Sequence, residues 1–158
     1  MNARQHSRRR LLGWPTATML AACLPRSARA HAFPEDGFTV LHPWCDEARA
    51  GATDLPVLLR IIDIRRADRL LGAETPVATR MLLHLPPRRP FDPPAPQGEP
   101  GPPGLALQPG HDLNLSHFGP HLLLQQVLTD LHFGREYPLT LRFEQAGNVE
   151  AALIIGLD

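Results

Sequence analysis

Eighteen prolines and twelve glycines in 158 residues leave little room for a long helix. Proline fixes φ and has no N–H to give, and glycine costs regular elements backbone entropy. The apolar runs between these residues are short and read as strands. Residues 137–143 show the pattern best: Leu139, Leu141 and Phe143 fall on one side, Thr140 and Arg142 on the other. That period of two is the mark of a half-buried strand. Residues 38–41 follow Gly37 and are expected to stop as a strand near Pro43. The stretches 55–64, 68–73, 80–85, Leu105–Leu107, 112–116, His121–Val127 and 149–155 read the same way. Eight or nine short strands joined by Gly/Pro turns predict an all-β chain, an antiparallel sandwich or barrel.

One stretch resists this reading. Residues 86–109 hold ten prolines together with Gly98, Gly101 and Gly104. Such a stretch cannot be a central strand, so it is expected to be a long, polyproline-type loop between two strands. It is either a solvated insertion or an arm that holds a partner protein.

An apolar fraction of 43% is enough to build a core, which excludes wholesale disorder. The formal charge of zero hides an uneven distribution. Six arginines and no acid lie in residues 1–30; the other ten arginines and all sixteen acids lie in 31–158, which therefore carries −6. There is no lysine. An acidic domain of this kind is not expected to bind nucleic acid. No nucleophile elbow, zinc-protease helix or phosphate loop is present, so no enzyme activity is expected.

The basic N-terminus is an address. Ser7-Arg8-Arg9-Arg10-Leu11-Leu12 precedes an apolar run to Leu24, too short to span a bilayer and of signal-peptide length. The paired arginines fit twin-arginine export, which predicts a signal over 1–30 and a periplasmic domain over 31–158. Cleavage after Ala30 or Ala32 would release that domain. Leu20-Ala21-Ala22-Cys23 instead resembles a lipobox, which would lipidate Cys23, bring the chain to the membrane and leave residues 24–35 as a tether. In either case the compartment is oxidising. Two cysteines make no disulfide framework, and Cys45 reads as a small buried hydrophobe beside Trp44, the alternatives being a metal ligand or an intermolecular disulfide.

Five blocks occur in a recognisable order: Val40-Leu41-His42-Pro43-Trp44, Arg69-Leu70-Leu71-Gly72-Ala73-Glu74-Thr75-Pro76, Met81-Leu82-Leu83-His84, then residues 115–124 around His117 and His121, and residues 131–150 with Leu139-Thr140-Leu141-Arg142-Phe143 and Ala146-Gly147. Together they resemble the PCu(A)C family of periplasmic copper chaperones. The resemblance implies a cupredoxin-like Greek-key β-sandwich that delivers or buffers copper, toward a copper-accepting periplasmic or membrane protein such as a respiratory oxidase. The family's copper motif is H-x10-M-x21-H-x-M. Soft thioethers select Cu(I), whereas imidazoles take either oxidation state. His84 matches the first position of the motif and His121 the second His. Leu123 stands where the last Met belongs, and Ala95 where the other would fall.

With both thioethers missing, the ion is expected to be Cu(II) or Cu(I) held in a rearranged site, the metal residues being His84, His121, His117 and Met81. Met81 is three residues before His84 and points to the opposite strand face unless the strand bends. His117 is four residues before His121, across a Phe-Gly-Pro turn. His31, if it is the mature N-terminus, adds an amine and an imidazole; His42 and His111 are weaker donors, and Glu99 and Asp112 offer oxygens without a supporting spacing. The alternative is a degenerate interaction module that no longer binds metal and grips its partner through the proline-rich loop.

Overall fold

The computed structural model describes residues 32–85 and 103–156. Residues 1–31, which hold the expected signal and His31, residues 86–102, with Ala95 and Glu99, and residues 157–158 lie outside the described residues. Ten strands follow in order: β1 (Ala32–Glu35), β2 (Phe38–Cys45), β3 (Leu55–Ile62), β4 (Asp68–Glu74), β5 (Ala78–His84), β6 (Leu105–Leu107), β7 (Leu113–Leu115), β8 (His121–Val127), β9 (Glu136–Phe143) and β10 (Asn148–Ile155). Among the described residues there is no helix, and so none long and apolar enough to cross a membrane. The all-β expectation holds.

The strands pair in the order β5-β8-β3-β2-β10-β9-β4-β6, with β1 added to β2 and β7 to β3. The sheet curls into a half-barrel of cupredoxin-like type. β10 runs parallel to β2 at Trp44–Ile154 and Cys45–Ile155, while the other described ladders are antiparallel. Alternate residues fill the interior: Val40, Ile61, Leu122, Leu124, Leu141 and Leu153 are completely buried. In β9 the burial follows the sequence pattern, with Leu139, Leu141 and Phe143 inside and Arg142 out. Burial of this kind contributes ~1.5–3 kcal/mol for each large aliphatic side chain.

Two differences from the sequence expectation have local causes. β2 does not stop at Pro43 but runs on to Cys45. His42 adopts a left-handed φ of 48°, and the register with β3 shifts between Leu41 and Trp44. Such a bulge is where a strand accommodates a proline. The segment ahead of residue 38 is also no mere tether. Ala32–Glu35 is a strand that folds back on β2, Glu35 opposite Phe38, across the two-residue turn Asp36-Gly37 with Gly37 at φ 125°. An Asp-Gly pair between strands is a strong hairpin signal.

The far edge of the sheet depends on one glycine. Gly104 leads into β6 at φ 107°, and a Cβ there would sit 2.5 Å from the Leu70 carbonyl oxygen of β4. Gly104→Ala is therefore expected to lower unfolding stability by about 2–3 kcal/mol. Urea melts of the two proteins measure this, and equal midpoints would show that β6 does not rely on the close approach.

Candidate metal centre

The strand ladder brings two of the four sequence-predicted metal residues together. β5 and β8 pair antiparallel, and the register sets His84 directly opposite His121. Their rings lie 4.6 Å apart between centroids, at 31° to each other. This is close enough for both imidazoles to share one ion.

His121 is held from behind. β7 and β8 both run antiparallel to β3, Leu115 opposite Leu59 and Leu122 opposite Val57. A single β3 residue, Leu58, faces the six residues between them, so the chain makes a five-residue excursion over 116–120. The excursion closes on itself: the Gly119 N–H donates to the Ser116 carbonyl at 3.1 Å, and the Ser116 N–H to the Pro120 carbonyl at 3.0 Å. His121 Nδ1 lies 2.9 Å from the Gly119 carbonyl oxygen and 3.2 Å from that of Ser116. Carbonyls only accept, so Nδ1 must carry the proton and donate it. The lone pair is then on Nε2, the tautomer a metal ligand needs, set by a second hydrogen bond as in known imidazole–metal sites. The side chain is 9% exposed, covered by this turn and by the His84 ring, whereas His84 itself is exposed.

The other two predicted residues do not join the pair. Met81 is 9% exposed and belongs to the hydrophobic core, opposite Leu124 of β8. An odd separation from His84 places it on the inner face of β5. His117 rides on the excursion, which opens opposite Leu58, and Leu58 is paired to Trp44 of β2. The His117 ring accordingly meets Trp44 edge-on, centroids 6.2 Å apart. Beside it lies a cleft of about 310 Å³ lined by His42, Trp44, Arg60, His117 and Phe118. Asp112 is taken up with Arg60 at 3.4 Å. Among the described residues, no three His, Cys, Asp or Glu side chains gather around one point.

Cys45 is completely buried and free, and burial, with Asp46 adding, pushes its thiol up to about 12. The side chain packs in the hydrophobic core, and among the described residues it joins no cluster of metal donors, so the small-hydrophobe reading fits it.

One feature of the pair escaped sequence reasoning. Leu82 and Leu123 face each other across β5 and β8, two residues along from His84 and His121 on the same faces. Leu123, in the position of the last thioether, is half-buried, and Leu82 is 42% exposed. The two imidazoles thus have an aliphatic neighbour pair where a soft donor would sit.

A family model described as "Putative lipoprotein LpqE-like" matches residues 38–155. No curated protein sequence matches the chain. Among solved structures, the copper-bound PCuAC domain from PmoF2 superimposes with a TM-score of 0.65 at 20% identity, covering 81% of this chain and 99% of that one. The apo PCuAC domain from PmoF1 gives 0.65 at 21% identity, over 81% and 100%. The Cu(I)-bound solution structure of DR1885 from Deinococcus radiodurans gives 0.52 at 20% identity, over 71% and 74%. At such identities the likeness is one of fold.

Proposed function

This chain belongs to the LpqE-like family and has the PCuAC fold, and from that premise we propose that it is an exported copper-handling protein, a carrier or buffer rather than an enzyme. The observation that carries the reading is the cross-strand pair His84–His121, with the Nε2 atom of His121 left free to bind. Two of the fold relatives are described as holding copper, one of them as Cu(I). Here the donors are imidazoles without thioethers, a set that suits Cu(II) better than Cu(I). Copper is cargo in this reading: the exposed His84 lets an acceptor protein in the periplasm or its membrane compete for the ion.

The test is a titration of the protein with Cu(II) in air, and with Cu(I) under anaerobic conditions, each against a competing chelator. Tight Cu(II) binding that vanishes in the His84→Ala/His121→Ala double variant supports the reading. Full retention of binding in the double variant sinks it. Absence of binding to either ion would favour the second reading, a metal-free module gripping a partner, for which the replacement of both motif Met residues is the supporting observation.

Export fits the twin-arginine leader, and the family's description as a lipoprotein favours Cys23 as the mature N-terminus over release after Ala30. β1 begins at Ala32. A lipid on Cys23 would leave residues 24–31 as the link to the first strand, while cleavage after Ala32 would strip a strand residue. Cys23→Ala is expected to move the protein from the membrane fraction to the soluble periplasm and to abolish labelling with radioactive palmitate. A native protein whose mature terminus is found by mass spectrometry to be an unmodified His31 would reverse this assignment.

A further inference from the structure

The His84–His121 pair lies at the rim of the sheet, and its position there has a consequence for how an ion can be held. β5 is the last strand in the pairing order, so one of its edges carries no neighbouring strand among the described residues. His84 is its final residue and is exposed. Leu82, two residues before it on the same strand face, is 42% exposed, and Leu85, the next residue along the chain, is 49% exposed. Exposed leucines beside an unpaired edge strand are a surface that natural sheets ordinarily blunt with charge. The charged residue of this strand face, Arg80, is four residues from His84, ~13 Å along the strand. Among the described residues, the ground next to the histidines is therefore apolar and free of fixed charge.

Divalent copper and zinc ions with nitrogen donors take about four ligands, and the pair supplies two. A two-fold axis beside His84 would double the donor set without requiring any further residue. Closed two-fold association is the commonest form of self-assembly, and it brings the same patch of each copy together.

We propose that one Cu(II) ion joins two copies of this chain, each giving the Nε2 atoms of His84 and His121, with Leu82 of the two copies packing beside the four imidazoles. This rests on the copper-handling reading above and deepens it. The doubled site holds the ion firmly for storage. Separation of the copies exposes it on two ligands, from which an acceptor can take it. Assembly then depends on metal, and at a given copper supply the dimer fraction rises with protein concentration.

Sedimentation velocity of the exported Cys23→Ala protein, which carries no lipid to associate through, tests this, with CuSO4 added in steps. The expected result is a monomer in chelator. The mass should double as copper reaches half an equivalent per chain, with no further tight binding beyond that point, and return to monomer on adding chelator. The electron paramagnetic resonance spectrum of the half-loaded protein should show four nitrogens. His84→Ala should stay monomeric at every copper level, and Leu82→Arg should weaken the dimer by at least tenfold while leaving the imidazoles in place. A monomer that binds one full equivalent overturns the shared site but leaves copper handling standing. A dimer that persists in chelator overturns the metal bridge. No copper binding at all overturns both, so the two failures are distinguishable.

Discussion

Replacing His121 with Ala should remove more copper binding than replacing His84, although each change deletes one imidazole. His121 is already committed to one tautomer and one orientation by the carbonyls of Gly119 and Ser116, and it is 9% exposed. Little rotamer freedom is lost when it takes an ion. His84 is exposed and must be ordered on binding, which costs about 0.5–1.5 kcal/mol for an immobilised side chain. We expect His121→Ala to weaken Cu(II) by roughly 1,000-fold and His84→Ala by roughly 100-fold, a difference of about 1.4 kcal/mol. Competition against a chelator of known affinity measures both. A thermal melt guards against loss of fold, since His121→Ala also removes a hydrogen bond that contributes about 1 kcal/mol. The opposite order of affinities would show that the preset ring is not what organises the site.

The strands were readable because this chain punctuates them heavily. The alternation of 137–143 becomes β9 almost residue for residue, and Gly147 sits at φ 75° in the turn that follows. β1 was readable in principle from Asp36-Gly37, but its four residues adjoin the expected cleavage sites and lack a strong alternation. Passage of β2 through Pro43 was not readable, because it depends on His42 adopting a left-handed conformation that only the finished sheet stabilises. The site was half legible. The motif resemblance selects His84 and His121, but whether they meet depends on the register of β5 and β8, strands that are not neighbours in the sequence. A slip of one residue would have turned one ring to the other face. His117 fails to join them for the same kind of reason. The excursion 116–120 opens opposite Leu58, whose partner is Trp44, and no local pattern in the sequence reports that pairing.

Leu123→Met should convert the site toward Cu(I). The side chain leaves β8 on the same face as His121, two residues on, and is half-buried opposite Leu82 of β5. Exchange of Leu for Met nearly conserves volume, so the cost in stability should stay below about 1.5 kcal/mol. The thioether is unbranched and flexible enough to reach beside the imidazoles. A soft sulfur added to two nitrogens favours Cu(I) over Cu(II). We expect Cu(I) affinity to rise roughly 100-fold, about 2.7 kcal/mol, with Cu(II) affinity changing by less than tenfold. Leu82→Met provides a second approach, since Leu82 stands directly across the strands from Leu123 and is the more exposed of the two. An anaerobic Cu(I) titration of both variants decides the matter. If neither gains Cu(I) affinity while both keep the native melting temperature, the face shared by Leu82, His84, His121 and Leu123 is not where the ion binds. If either gains it, the aliphatic pair, rather than the fold, is what keeps a soft donor from the proposed site.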